Sequence, residues 1–348
     1  MSRIKLKTAK GMDIRDAVLD ASSILPVNLR GYSAQLTVDG EAYALKGGFA
    51  LSIKIVKPNN KPQCLRCWTD GKADESQIDY LVEVADIINK NNDKDCPYFI
   101  GFNIVERLLK VDGIELPGLI MDWVEGETLN KYIMANSGHS GAQIKLVAQK
   151  FAKMCNILNS RKISHGDLSA VNIIVKPDGN LKVIDYDSLY SPSMGRKVQY
   201  IAGIKDYQHP QRESATYYET YMDYFSQHVI YAALLIMANN ASARPSQQLK
   251  NLLFTESEFS SPSSFRNSSV VKSARKLRVS DIDRELDIIE RALNLPLSQI
   301  PPLVDSSSPM VKTIHKFAFC SACGNKFSSD EFDYCTVCGA KRNSYTIE

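Results

Sequence analysis

Three polar residues in the middle of the chain have the types and spacing needed for chemistry on phosphate groups. Asp167 and Asn172 lie in the segment HGDLSAVN, and Asp185 follows a short apolar segment a little further along. Phosphoryl transfer needs a carboxylate that orients the attacking hydroxyl and metal ions that neutralise phosphate charge. We therefore predict that Asp167 orients the nucleophile, while Asn172 and Asp185 supply the oxygen ligands that Mg²⁺ prefers.

This stretch resembles the protein kinase superfamily, whose catalytic loop reads H-R-D-x-x-x-x-N and whose metal-binding aspartate opens D-F-G. His165, Asp167 and Asn172 match the first motif. Asp185 matches the aspartate of the second motif, and Tyr186 stands in place of its phenylalanine. Further along, the sequence YQHP lies where the family has A-P-E. The resemblance covers about residues 41–300 and implies a kinase fold with bound ATP and Mg²⁺.

The elements that must position these residues change in type along the chain. Apolar strand-like runs dominate residues 41–122, whereas regular apolar stripes after residue 125 predict helices. Asp223 precedes a strongly apolar segment, as the buried aspartate of the family's central helix does. The expected fold class is α+β: a bilobal protein-kinase-like fold with a β-rich N-lobe and a helical C-lobe, followed by a small C-terminal zinc ribbon.

The same changes of pattern predict the domain organisation. The expected parts are an N-terminal extension at 1–40, an N-lobe at 41–122, a C-lobe at 123–300, a linker at 301–316 and a zinc ribbon at 317–348.

Two basic residues compete for the role of the phosphate anchor in the N-lobe. Lys54 ends a segment that superficially copies V-A-I-K, but it follows the glycine-rich segment too closely. Counting through one strand and one turn places Arg66 on the third strand, in the position of the family's lysine. On this register Lys54 is a solvated strand residue. Glu83, on a predicted helix, is then the expected partner of Arg66, with Glu75 as a weaker candidate.

The resemblance also implies a nucleotide site between the lobes. The segment KGGFA resembles the end of the glycine-rich loop, and MDWVEGET resembles the hinge. Met121 would be the gatekeeper, the backbone of Asp122 and Val124 would bind adenine, and Glu127 or Thr128 would lie near the ribose. The expected nucleotide-binding residues are Gly47, Gly48, Phe49, Arg66, Met121, Asp122, Val124, Glu127, Asn172 and Asp185.

Several residues depart from the family pattern. Arg66 offers a planar fork instead of a compact ammonium, and Gly166 replaces the arginine of the catalytic loop. Ser169 replaces the lysine that would touch the transferred phosphate, and Asp187 replaces the glycine of D-F-G. We predict an ATP- and Mg²⁺-dependent protein kinase that acts on Ser or Thr hydroxyls. A pseudokinase or signalling scaffold and a small-molecule kinase are the alternatives.

Four of the eight cysteines form a second chemical site near the C-terminus. They occur as two C-x-x-C-G motifs and comprise Cys320, Cys323, Cys335 and Cys338. Four thiolates satisfy tetrahedral Zn²⁺, so this spacing predicts a structural zinc ribbon that recruits a partner. The remaining four cysteines are expected to be buried core thiols; these are Cys64, Cys67, Cys96 and Cys155.

The composition indicates which classes of partner the protein is expected to bind. The 348 residues carry a net charge of +3, which does not favour nucleic acid, although contact of the ribbon with nucleic acid is left open. No apolar run reaches the roughly 18 residues needed to span a bilayer, and the first residues lack the apolar core of a signal peptide. We expect a cytoplasmic protein with no membrane partner that binds ATP and a protein substrate or signalling partner.

Overall fold

The structure is a computed structural model. It describes residues 4–47, 49–70, 75–135, 141–240, 243, 251–304, 314–316, 322–323, 325–326, 334–338, 340–341 and 344–346. The chain forms two compact units, Met1–Val304 and Asp305–Glu348.

The first part of the larger unit is built on a six-stranded antiparallel sheet. Its elements are α1 (Gly11–Ala17), β1 (Ser33–Ala34), β2 (Ala44–Lys46), β3 (Ala50–Val56), β4 (Gln63–Trp68), α2 (Glu75–Asn91), β5 (Phe102–Val111) and β6 (Ile114–Asp122). The strand order is β1-β3-β4-β6-β5, and β2 also pairs with β3. Strand β4 is therefore central, and its hydrogen bonds to both neighbours hold the backbone of Arg66.

Both faces of this sheet are covered, which explains why β3 and β4 are apolar along most of their length. One face contributes Trp68 and Phe102 to a cluster that includes the buried residues of α2. The other face packs against Ile14 and Val18 from the first residues of the chain. The predicted N-terminal extension at 1–40 thus supplies α1 and β1 to the same compact lobe.

The second part of the larger unit is mainly helical. Its elements are β7 (Glu127–Thr128), α3 (Leu129–Ala135), α4 (Gly141–Ser160), β8 (Ile173–Val175), β9 (Leu181–Val183), α5 (Tyr224–Asn239), α6 (Pro262–Asn267), α7 (Ser269–Arg275) and α8 (Ser280–Ala292). The apolar stripe predicted for α4 is buried, and α5 is buried on nearly every side. A small antiparallel sheet, β7-β8-β9, lies beside the segment that carries Asp167 and Asn172. The α+β kinase fold class is thereby confirmed.

The larger unit extends beyond the last helix. Ile300 and Leu303 are buried in its main hydrophobic cluster, so the first residues of the predicted linker at 301–316 pack with the helices. The smaller unit contains the antiparallel strands β10 (Ile314–Lys316) and β11 (Ser344–Thr346). Across the described ranges, no helix is both long and apolar enough to cross a membrane.

Candidate active site

The catalytic loop, residues 164–172, joins α4 to β8 and is held by backbone contacts. Ser164 and Tyr190 exchange N–H···O hydrogen bonds of 3.0 and 2.8 Å. Asp223, immediately before α5, accepts hydrogen bonds from the backbone N–H groups of His165 and Gly166, the latter at 2.9 Å. Because Asp223 is buried and adjoins a buried helix, these bonds attach the loop to the core of the lobe.

Both carboxylate oxygens of Asp167 accept hydrogen bonds. The backbone N–H of Ile204 donates to Oδ1 at 2.8 Å, and Nδ2 of Asn172 donates to Oδ2 at 3.1 Å. The same Nδ2 donates to the backbone oxygen of Asp167 at 2.9 Å, which leaves the amide oxygen of Asn172 as a ligand atom for a metal ion. Burial raises the pKa of Asp167, with His165 and the Ile204 N–H opposing the shift. A carboxylate whose pKa is raised is a better proton acceptor.

The Asp185-Tyr186-Asp187 segment is fixed by its central tyrosine. The hydroxyl of Tyr186 accepts a hydrogen bond from the Ile100 backbone N–H at 2.8 Å and donates to the Val183 backbone oxygen at 2.6 Å. Its ring stacks on Phe102, with the ring centroids 6.0 Å apart. The hydroxyl that distinguishes this residue from the family's phenylalanine thus satisfies two buried backbone groups.

Arg66 reaches this segment from the central strand of the sheet. Its Nη2 lies 2.9 Å from Oδ1 of Asp185 and 2.8 Å from Oδ2 of Asp187. Although burial opposes its ionisation, Asp187 and Asp185 raise the pKa of Arg66. Burial likewise opposes ionisation of Asp185, but Arg66 outweighs it and the pKa of Asp185 is lowered. For Asp187 burial prevails, and its pKa rises to about 6.

The predicted pair between Arg66 and Glu83 is wrong for this structure. Glu83 Oε1 instead lies 2.7 Å from the Lys197 ammonium, in the segment that follows Asp187. The physical reason is that Asp185 and Asp187 place two carboxylates against the Arg66 guanidinium, while Lys197 binds the carboxylate of Glu83. The weaker candidate, Glu75, has a side chain outside the described residues.

The prediction that Lys54 is solvated is also wrong. Lys54 is 9% exposed, and its ammonium lies 2.6 Å from Oε1 of Glu125 and 5.2 Å from the centroid of the Trp123 ring. Lys54 therefore binds the hinge segment, and it is Arg66 that contacts Asp185.

Met121 lies with Arg66 and Asp185 at one cavity between the lobes. Apolar side chains complete most of its wall, among them Leu81, Phe102, Leu119 and Ile184. A largely apolar cavity that ends in charged groups has the character expected beside a nucleotide site.

The remaining hinge residues lie at the end of β6, in β7 and in the segment between these strands. Asp122 is exposed, and its Oδ1 accepts a hydrogen bond from Nε2 of Gln63 at 2.8 Å. Its backbone groups are those that the resemblance assigns to adenine. Val124 is half-buried, and Glu127 is exposed where β7 pairs with Val175 of β8.

The glycine-rich segment lies at the turn between β2 and β3. The backbone N–H of Gly47 donates to the Ala50 oxygen at 2.8 Å, so this turn is tight. Gly48 lies outside the described residues. Phe49 is half-buried and lines a second cavity, together with Tyr80 and Tyr200. Asp187 lines both this cavity and the one that Asp185 borders.

Sequence reasoning missed Arg212. This residue is 1% exposed, and its Nη2 donates to the backbone oxygen of Gly166 at 2.6 Å, directly beside the catalytic loop. Burial lowers the pKa of Arg212, which Asp223 opposes. Its place two residues after the YQHP motif is the one signal in the sequence that points to it.

The cysteines of the smaller unit form a separate candidate site. The sulfurs of Cys323, Cys335 and Cys338 all lie within 4.8 Å of one another, and those of Cys323 and Cys335 are 3.6 Å apart. Backbone N–H groups of Cys338 and Val337 lower the pKa of Cys335 to about 6, which favours the thiolate. Zn–S bonds of about 2.3 Å in a tetrahedron need sulfurs at similar separations, so these thiols fit zinc. The fourth predicted ligand, Cys320, lies outside the described residues.

Comparison with known proteins agrees with this geometry. The protein kinase domain family matches residues 103–294, which is more than half of the chain. A Dictyostelium discoideum protein described as "Probable serine/threonine-protein kinase mkcF" is 25% identical over 93 residues. That similarity covers 27% of this chain and 14% of the length of the relative. With a catalytic loop, a metal-type aspartate and a two-part fold in the family's arrangement, the chain belongs to the protein kinase domain family.

Proposed function

We propose that this protein is an ATP- and Mg²⁺-dependent protein kinase that transfers the γ-phosphate of ATP to Ser or Thr hydroxyls of a protein. The observation that carries the proposal is the convergence of Asp167, Asn172, Asp185 and Arg66 between the two lobes. Asp167 bonds Asn172, and the backbone oxygen of Asn172 accepts a hydrogen bond from the Ile184 N–H at 2.9 Å. Arg66 bonds Asp185, the next residue, so a continuous set of contacts joins the carboxylate to the metal-type ligands.

Each residue has a role in this mechanism. Asp167, whose pKa is raised by burial, orients the substrate hydroxyl and accepts its proton. Arg66 binds the nucleotide phosphates through guanidinium N–H groups that its two carboxylate partners leave free. The backbone of Asp122 and Val124 binds adenine, and Met121 borders the adenine on the inner side of the cleft.

Asn172 and Asp185 would hold Mg²⁺, which when bound neutralises charge on the phosphates. The chemistry of these donors fits, since one offers an amide oxygen and the other a carboxylate that Arg66 keeps ionised.

The alternative is a nucleotide-binding scaffold without transferase activity. It is favoured by the hydrogen bonds that already occupy both oxygens of Asp167, including the bond from the Ile204 N–H. The hydroxyl of Ser169 is also fully buried, with no hydrogen-bond partner among the described residues, so this position offers no exposed cation to the transferred phosphate.

The test is transfer of radiolabelled phosphate from ATP to the protein itself or to a panel of Ser/Thr-containing proteins, with Mg²⁺ present. We expect transfer by the full chain, loss of transfer in Asp167→Asn, and retention in Asp86→Asn, which alters an exposed aspartate of α2. Phosphoamino-acid analysis reports the acceptor hydroxyl. ATP binding without transfer in the wild-type protein would establish the scaffold instead.

We also propose that the smaller unit is a zinc ribbon that recruits a protein partner. Three clustered thiols and the low pKa of Cys335 support the metal site. Metal analysis of protein purified without chelator should find one zinc ion per chain; absence of zinc would refute the ribbon.

A further inference from the structure

We propose that Asp187 is the positioning residue for Arg66, and that it takes the role which the family resemblance gives to Glu83. This inference rests on the proposed function, because it assigns Arg66 to the nucleotide phosphates. Asp187 stands where the family pattern has glycine, so the resemblance predicts no carboxylate at this position.

The geometry around the guanidinium carries the inference. A single nitrogen, Nη2 of Arg66, contacts Oδ2 of Asp187 at 2.8 Å and Oδ1 of Asp185 at 2.9 Å. The side chain of Arg66 is 14% exposed, and that of Asp187 is 20% exposed. A guanidinium has five N–H donors in a rigid fork, so a contact at one nitrogen leaves the others to bind a phosphate.

The backbone of Arg66 limits where its side chain can point. Arg66 lies opposite Ser52 of β3 and Leu119 of β6, so its strand is paired on both sides. Because this pairing fixes the backbone, the charged partners of the guanidinium decide its orientation.

Of the two partners, Asp187 is the one that can serve as a permanent anchor. Asp185 matches the metal-binding aspartate of the family, so its oxygens are shared between Arg66 and the metal in the proposed function. Asp187 has no such second task, and its ion-pair partner is Arg66. The two carboxylates together carry more negative charge than one guanidinium neutralises, which leaves charge on Asp185 for a cation.

Glu83 is engaged by a different cation. Its carboxylate is bound by Lys197 at 2.7 Å, and its side chain is 42% exposed. Helix α2 is thus tied to the segment after Asp187, and the carboxylate of Glu83 is engaged by Lys197 instead of Arg66. Asp187, which stands in place of the glycine of D-F-G, is thus the counter-ion of Arg66.

The experiment compares binding of ATP and of adenosine, without added metal, by calorimetry on the full chain. In Asp187→Asn we expect ATP to bind at least about tenfold more weakly, because a charge-assisted hydrogen bond contributes on that order. Adenosine lacks phosphates and should bind within about twofold of wild type, which also shows that the variant is folded. Removing a negative charge would by itself strengthen binding of anionic ATP, so weaker binding reports the loss of positioning.

The matched comparison is Glu83→Gln, which also neutralises one carboxylate. We expect its ratio of ATP to adenosine affinity to stay within about twofold of wild type. The double variant Arg66→Lys with Asp187→Glu exchanges the lengths of the two side chains, and it should recover part of the ATP affinity that Arg66→Lys alone loses. This comparison tests the inference if Asp187→Asn does not fold.

The outcomes separate the two proposals. If Asp187→Asn binds ATP as tightly as wild type or more tightly, or if Glu83→Gln loses as much ATP affinity, then Asp187 is not the positioning residue. If the wild-type protein binds neither ATP nor adenosine, the proposed kinase function itself fails, and this inference fails with it.

Discussion

Substitution of Gly166 is the sharpest test of how the catalytic loop is built. Gly166 has φ of +77°, in the left-handed region that a residue with a Cβ atom rarely adopts. A Cβ at this position would overlap the backbone oxygen of Ser188 and lie 2.9 Å from the Ser188 Cβ. The loop therefore approaches residue 188 so closely that a side chain at 166 has no space.

The expected cost of Gly166→Ala combines three effects. The left-handed conformation costs roughly 1–2 kcal/mol for an L-residue, and a steric overlap in a packed interior costs about 1–3 kcal/mol. Alanine also restricts the unfolded chain, which offsets roughly 0.4–1 kcal/mol of this. We therefore expect the free energy of unfolding to fall by about 1–4.5 kcal/mol.

Gly113→Ala is the matched control. Gly113 lies in the turn between β5 and β6 with φ of +82°, and no atom lies within 4 Å of the position of an added Cβ. This variant carries the conformational cost without the overlap, so a loss of about 0–1.5 kcal/mol is expected. The difference between the two variants isolates the contact with Ser188.

The assay is urea unfolding of the full chain followed by circular dichroism. If Gly166→Ala is no less stable than Gly113→Ala, the close approach of the loop to Ser188 is refuted. The overlap has a consequence for function as well, because Gly166 bonds Asp223 through its N–H and Arg212 through its oxygen. A backbone shift that relieves the overlap with Ser188 also moves the adjacent Asp167. Gly166→Arg, which introduces the family's arginine, should therefore abolish activity.

Other contacts can be tested by unfolding and by metal content. Arg161 hydrogen-bonds Asp93 and lowers the pKa of that carboxyl to about 2. The pair therefore stabilises the protein above the unfolded-state pKa of about 3.9, and this stabilisation is lost as the pH falls through about 2. Asp93→Asn should lower the urea midpoint at pH 7. If the wild type and this variant differ as much at pH 2 as at pH 7, the pair is contradicted. Tyr186→Phe removes the acceptor of the buried Ile100 N–H and should cost about 1–3 kcal/mol in urea unfolding; unchanged stability would argue against that bond. Cys338→Ser should release the zinc detected by metal analysis, and full retention would exclude Cys338 as a ligand.

Much of the fold was predictable because it is encoded in local patterns. The apolar stripe of α4 and the uniformly apolar α5 predict helices, and both are buried. The boundaries within the sheet were less predictable. Between residues 102 and 122 the structure has two strands, β5 and β6, with a shift of register between Val105 and Leu109. An irregularity inside one strand interrupts the alternation of side chains in the same way as a turn does.

The first residues of the chain illustrate a second limit. No motif marks residues 1–40, yet Ile14 and Val18 are fully buried against the sheet. A short helix can cover a sheet with two or three apolar residues, which is too few to form a recognisable pattern.

The sequence by itself determined the family and the catalytic segment. His165, Asp167 and Asn172 lie within a few residues of one another, so their spacing along the chain does not depend on how the rest of the protein packs. Only the tertiary structure decided which charges meet. Arg66 is 119 residues from Asp185 along the chain, and Lys197 is 114 residues from Glu83. Acidic side chains on different segments are chemically equivalent partners for a guanidinium. The choice among them depends on which carboxylate lies within about 3 Å once β4 and the catalytic segments are packed.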